Sequence, residues 1–310
     1  MTCFTGGGID NSQIKHSLNS SNQLSFFTKK TFLSLATISF LASYANANII
    51  SDHNHSSGTI QITSKNQKNI SGGNCSGTNC TISNEQNQQI TISGSNGGTL
   101  TVESSGVING GNGVFVGNKT NNVTIENQGN INGNTSGIKT DAGKIDTITN
   151  SGTIQGGSHY GMYINVGATV DNINNTGMIT GQTGIHVESN SKVGTINNSG
   201  TINGVTRYGV VAYNGSYTDT LNNQGKIYGK DFGILVQNNS SIKTIKNQGS
   251  IIGDYGVYLY GNSSIQAINN QGLIFGDRRG IYMHGAGTAI NHIKAEGKMP
   301  SLQEVQVFIT

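Results

Sequence analysis

The chain has 310 residues, of which 45 are glycine and one is proline, and 11% of them are charged. Glycine stands at about twice its usual share but follows no three-residue period, which excludes a collagen-like triple helix. Recurrent Ile, Val and Thr at low charge exclude ordinary disorder, and a formal net charge of +3 leaves no electrostatic footprint for nucleic acid.

Residues 1–47 read as an export signal with an extended leader. Lys29 and Lys30 precede an apolar run from Thr31 to Tyr44, followed by Ala45-Asn46-Ala47. A basic flank, a short apolar core and a small-x-small site, in that order, form a secretory signal. The run is shorter than the ~20 residues that span a bilayer. The competing reading is a buried strand or helix. Removing the leader leaves a nearly neutral chain, which argues against nucleic acid and anionic membranes as partners.

Residues 48–104 alternate polar and apolar residues without a fixed period, as in Ile60-Gln61-Ile62, Ile90-Thr91-Ile92 and Leu100-Thr101-Val102. A solenoid needs an atypical cap over its first coil, and this segment is the expected one. In an exported protein, Cys75 and Cys80 are expected to form a disulfide. His53 and His55 are too few ligands for a good metal site.

Residues 105–297 carry a repeat. Its anchor is the first Gly of Asn-x-Gly-x-Ile-x-Gly: Gly106, Gly129, Gly152, Gly177, Gly200, Gly225, Gly249, Gly272 and Gly297, at steps of 23–25 residues. Four residues before the anchor stand Val102, Ile125, Ile148, Ile173, Ile196, Leu221, Ile245, Ile268 and Ile293. Two before it stand Asn127, Asn150, Asn175, Asn198, Asn223, Asn247 and Asn270. Ile follows at two residues after the anchor from Ile108 to Ile274, and Gly at four after it from Gly110 to Gly276. A second, Gly-led strand recurs as Gly161-Met162-Tyr163-Ile164 or Gly256-Val257-Tyr258-Leu259. Three short strands and three turns per repeat are too few residues for a propeller blade, and there is no helical half as in leucine-rich repeats. The expected fold is all-β, a parallel β-helix of about 8–9 coils. Its Ile columns form the core, and its Asn column forms a structural ladder of stacked amides. The corner glycines are expected to adopt positive φ.

Alternation sends Tyr163, Tyr258 and Tyr282 outward, with Phe115 and His186 at equivalent places and Tyr160, Tyr208, Phe232 and Tyr255 just before the same Gly. Such a stripe offers stacking surface to a sugar or a protein; packing between neighbouring strands is the alternative. The 9 Asp and 6 Glu are scattered. The one column among them is Asp231, Asp254 and Asp277, best explained as turn residues, with cation binding or paired acid/base work as alternatives. No catalytic residue, cofactor site or metal site is assigned. Residues 298–310 leave the ninth coil unfinished and read as a truncated tail.

The leader, the Ala-x-Ala site and the tandem Asn-x-Gly-x-Ile-x-Gly coils resemble the passenger domains of autotransporters, surface or secreted virulence proteins of Gram-negative bacteria. The resemblance covers roughly residues 15–297. It implies a right-handed β-helix, exported and displayed at the cell surface or outer membrane or secreted, acting as an adhesin on a host-cell or bacterial surface glycan or protein. The family's C-terminal outer-membrane barrel has no counterpart in these 310 residues, and such a barrel is the expected partner if the chain is an N-terminal fragment. A secreted β-helical carbohydrate-active enzyme is the alternative, and a truncated product without function a third reading.

Overall fold

Strict recurrence of an apolar residue at the same place in each repeat lets every strand pair with its own equivalent one coil away. The computed structural model describes residues 79–296 except residue 95, with residue 96 by its backbone, and the backbones of strands Ala47–Ile50, Gln61–Ser64, Asn69–Gly72 and Cys75–Gly77. The chain divides into two units, Met1–Gln67 and Lys68–Thr310. In the first, Ala47–Ile50 pairs antiparallel with Gln61–Ser64. The export signal, apart from Ala47, lies outside the described residues, as do His53, His55, Gly297 and residues 298–310.

The second unit is an all-β solenoid of about nine turns, with no helix among the described residues. A typical coil has three strands. The long strand, such as Thr169–Asn175, ends on the Asn of the repeat. The short strand, such as Met178–Gly181, ends on the second Gly. The face strand, such as Thr183–Val187, carries the outward column expected from the sequence. The long strands stack into one ten-stranded sheet. Short and face strands share a second sheet of sixteen strands. In four coils the short and face strands run on as one, in Val107–Val116, Asn130–Asp141, Ser250–Tyr260 and Leu273–His284. Three separate strands with three turns therefore hold only for the other coils. The register shifts between Gly133 and Ser136 and between Gly253 and Tyr255 show why: a bulge bends the strand while the ladder bonds continue on both sides.

Parallel stacking runs from Cys80–Ile82, paired with Leu100–Val102, to Ala289–Ala295, paired with Ser264–Asn270. At the first end, Asn69–Gly72 pairs antiparallel with both Cys75–Gly77 and Ile90–Ser93. Cys80 is buried and disulfide-bonded; Cys75 is described by its backbone alone. The core is a set of columns, Ile148 on Ile173 on Ile196 on Leu221 in one and Ile154 on Ile179 on Ile202 on Ile227 in another. All eight side chains are fully buried, each contributing about 2 kcal/mol of hydrophobic stabilisation.

The glycine columns correct an expectation. Among the described residues, none of the anchor glycines and none of those four residues later has positive φ. Their requirement is space. A Cβ on Gly200 would stand 2.1 Å from the carbonyl oxygen of Gly177, and the same clash recurs from Gly129 on Gly106 to Gly272 on Gly249. Positive φ belongs instead to the turn after the face strand. There Val166-Gly167, Ser189-Asn190, Asn214-Gly215, Asn238-Asn239 and Gly261-Asn262 have it at both positions, the φ pattern of a type I′ turn. Closing bonds run from Ala168 N–H to Asn165 O (3.1 Å) and from Ser191 N–H to Glu188 O (3.2 Å).

Candidate functional site

Two outer surfaces of the solenoid concentrate chemistry: the outer side of the face strands, and the corner that follows the long strands.

On the face strands, register places Phe115, Lys139, Tyr163, His186, Val211, Leu235, Tyr258 and Tyr282 in one column. A neighbouring column, just before the leading Gly, runs Tyr208, Phe232, Tyr255, Arg279. The rings gather into two groups. In the first, Tyr160 packs on Tyr163 at 4.5 Å between centroids and on His186 at 4.8 Å, and His186 meets Tyr213 edge-on at 6.2 Å. In the second, Tyr208 stacks on Phe232 (5.3 Å), Phe232 on Tyr258 (4.6 Å), Tyr255 on Tyr282 (5.5 Å), and Tyr258 tilts against Tyr282 (5.4 Å). Tyr163 thus belongs to one group, and Tyr258 and Tyr282 to the other. Between them the column holds Val211 and Leu235, which are buried although they lie at outward positions. Strand alternation marked the outward column, but it could not tell which members their neighbours cover.

The second group is framed by cations. The Arg207 guanidinium lies 4.9 Å from the Tyr208 centroid, and that of Arg279 lies 4.1 Å from the Tyr282 centroid. Tyr208, Phe232, Tyr255, Tyr258 and Tyr282 are all half-buried. Partial burial, with the nearby Tyr282 and Tyr255 hydroxyls, holds the Tyr258 phenol above its usual range, so that phenol stays neutral at physiological pH.

The first group holds a polar contact. Tyr163 Oη donates to Glu188 Oε2 at 2.9 Å. Burial, then that carboxylate, pushes the phenol well above the ordinary tyrosine range. His186 Nε2 stands 3.2 Å from the same oxygen, but in a direction that leaves both ring nitrogens buried without a hydrogen bond. Burial lowers His186 to about 4 against the upward pull of Glu188, so the ring is neutral at pH 7.

The members of the Asp column differ in exposure. Asp231 and Asp254 are half-buried and Asp277 is exposed. The Asp231 and Asp254 backbones carry coil-to-coil bonds, to Arg207 O (2.8 Å) and Lys230 O (3.1 Å). The Asp254 carboxylate stands 3.9 Å from Arg278 Nε. Among the described residues no three His, Cys, Asp or Glu side chains gather as a metal site.

The corner after the long strands is organised by amides. Inside it, the Asn column forms one unbroken chain: Nδ2 of Asn127, Asn150, Asn175, Asn198, Asn223 and Asn247 each donates to Oδ1 of the next, at 2.7–2.8 Å. The same nitrogens reach backbone carbonyls around the corner, as Asn198 does to Gly200 O (3.3 Å) and Lys226 O (3.2 Å). The ladder begins at Asn127, above Val102, and there Oδ1 is buried without a donor. Above this floor lies a groove of about 540 Å³ spanning Asn174 to Gln271. One wall is the residue just before each ladder Asn, where Asn222 Nδ2 donates to Asn197 Oδ1 (2.8 Å) and Asn197 Nδ2 to Asn174 Oδ1 (2.9 Å). The other wall is the residue just after it, where Gln224 Nε2 reaches Gln248 Oε1 (3.3 Å) and Gln248 Nε2 reaches Gln271 Oε1 (3.0 Å). The sequence reading missed this groove. Its signal was the doubled Asn of Asn174-Asn175, Asn197-Asn198, Asn222-Asn223 and Asn269-Asn270, of which only the second member served to define the repeat. No protein family, curated protein or solved structure matches this chain.

Proposed function

We propose that this solenoid is an exported, surface-displayed binding domain of the autotransporter-passenger type, an adhesin that engages a glycan or protein on host or bacterial surfaces through the aromatic face. The observation that carries the reading is the group Tyr208, Phe232, Tyr255, Tyr258 and Tyr282, half-open on one sheet face and framed by Arg207 and Arg279. Aromatic rings held by their neighbours lose little freedom on binding, and rings with polar tips suit both sugar stacking and protein contact. Adjacent guanidinium groups widen the choice to ligands with acidic groups.

The test is the double substitution Tyr258→Ser with Tyr282→Ser in the full chain, assayed for attachment to cells and to immobilised glycans. Both side chains point away from the Ile core, so the β spectrum by circular dichroism should persist. Loss of two stacking contacts, each on the order of 1 kcal/mol, should weaken single-site affinity about tenfold or more. Unchanged attachment would refute the aromatic face as the binding surface. Release of reducing ends from a polysaccharide, abolished by Asp254→Asn, would establish the enzyme reading in its place.

A further inference from the structure

We propose that the amide groove at the corner after the long strands binds an uncharged, extended polysaccharide laid along the solenoid axis. The proposal rests on the reading of this chain as a binding protein but uses a different surface from the aromatic face.

The wall amides carry the argument. An amide has two N–H donors and an oxygen with two lone pairs. Within a wall ladder, Asn197 spends one donor on Asn174 and one lone pair on Asn222, and Gln248 spends the same on Gln271 and Gln224. Each therefore retains a donor and an acceptor to offer the groove. The ladders also hold these side chains in place before any ligand arrives, which lowers the ordering cost of binding. A volume of about 540 Å³ lies within the usual range for ligand sites.

Charge and spacing select the ligand class. Lys246 is the one ionisable residue among those lining the groove, and no aromatic ring lines it, so neither a polyanion nor an apolar chain finds a complement. Each coil from Asn174 to Gln271 places at least one wall amide on one side of the groove or the other, at a coil spacing of about 4.8 Å. An extended peptide repeats its same-side groups every ~6.7 Å and falls out of register within two coils. An extended, equatorially linked glycan advances by about one coil spacing per sugar with alternate sugars turned over, so its same-side groups return in register at every second coil. Each of its hydroxyls both donates and accepts, matching the pair that each amide leaves open.

Calorimetric titration of the full-length chain tests this with cellohexaose and mannohexaose as neutral probes, heparin as the anionic probe and an extended poly-serine peptide as the peptide probe. At least one neutral hexaose should bind, and heparin and the peptide should not compete. Asn222→Leu with Gln248→Leu, both outside the core, should weaken that binding about tenfold or more. Ser199→Trp, which places a ring in the groove without removing an amide, should abolish it and guards against a misfolded double variant. Tyr258→Ser with Tyr282→Ser should leave it unchanged, so the groove and the aromatic face fail separately. Absence of binding by both hexaoses, preferential binding of heparin or of the peptide, or full binding by Ser199→Trp would overturn the proposal.

Discussion

The two well-defined corners of each coil solve the same problem by opposite means. After the long strand, the chain turns without a single positive φ among the described residues, and the residue types scarcely vary: Asn at the ladder, Gly at the anchor. After the face strand, two successive residues take positive φ in five coils, and Val, Gly, Ser and Asn all occur there. At the first corner the constraint comes from the neighbouring coil, as a carbonyl 2.1 Å from any Cβ and a hydrogen-bonded amide on either side. At the second it comes from the residue's own backbone conformation. A contact with an identical neighbour enforces identity up and down the stack. A conformational preference tolerates whatever can adopt it, at a cost.

The largest expected effect contrasts two glycines. Gly200→Ala should destabilise by about 4 kcal/mol or more, because its Cβ meets backbone that cannot yield without separating coils. Gly167→Ala, at φ +71° with no atom within 4 Å of the new Cβ, should cost about 1 kcal/mol from conformation alone. Urea denaturation of both variants measures the contrast; equal losses would mean that the two corners are constrained alike.

A second contrast uses adjacent asparagines. Asn198→Leu removes the acceptor of Asn175 and the donor of Asn223, both buried, and should cost about 3 kcal/mol. Asn197→Leu, on the groove wall, should shift the urea midpoint by no more than about 0.5 kcal/mol of stability. A large effect at Asn197 would show that the outer ladder also holds the coils together.

The smallest effect sharpens the conformational corner. Val166 is 55% exposed and has φ 57°, a place where a β-branched residue is strained. Asn214 and Asn238 stand at similarly positive φ in later coils. Val166→Asn should therefore stabilise the protein by about 1 kcal/mol, seen as a higher urea midpoint. No gain would mean that Val166 recovers its strain through packing.

Much of the fold was legible in the residues themselves. A period of 23–25 residues with Ile, Asn and Gly in fixed places has one economical solution, a stack of parallel coils, because each column needs its own kind above and below. The sequence also marked the outward aromatics, since alternation along a strand is a local property. Three things were decided only by the tertiary structure. The anchor glycines are required by a carbonyl of the preceding coil and not by their own φ. The outward column divides into two aromatic groups because Val211 and Leu235 are buried within it. The groove exists because residues on either side of each ladder Asn, unremarkable along the chain, become the continuous walls of one channel when coils stack. Periodicity belongs to the sequence, whereas close approach, coverage and concavity arise between segments some two dozen residues apart and have no local signature.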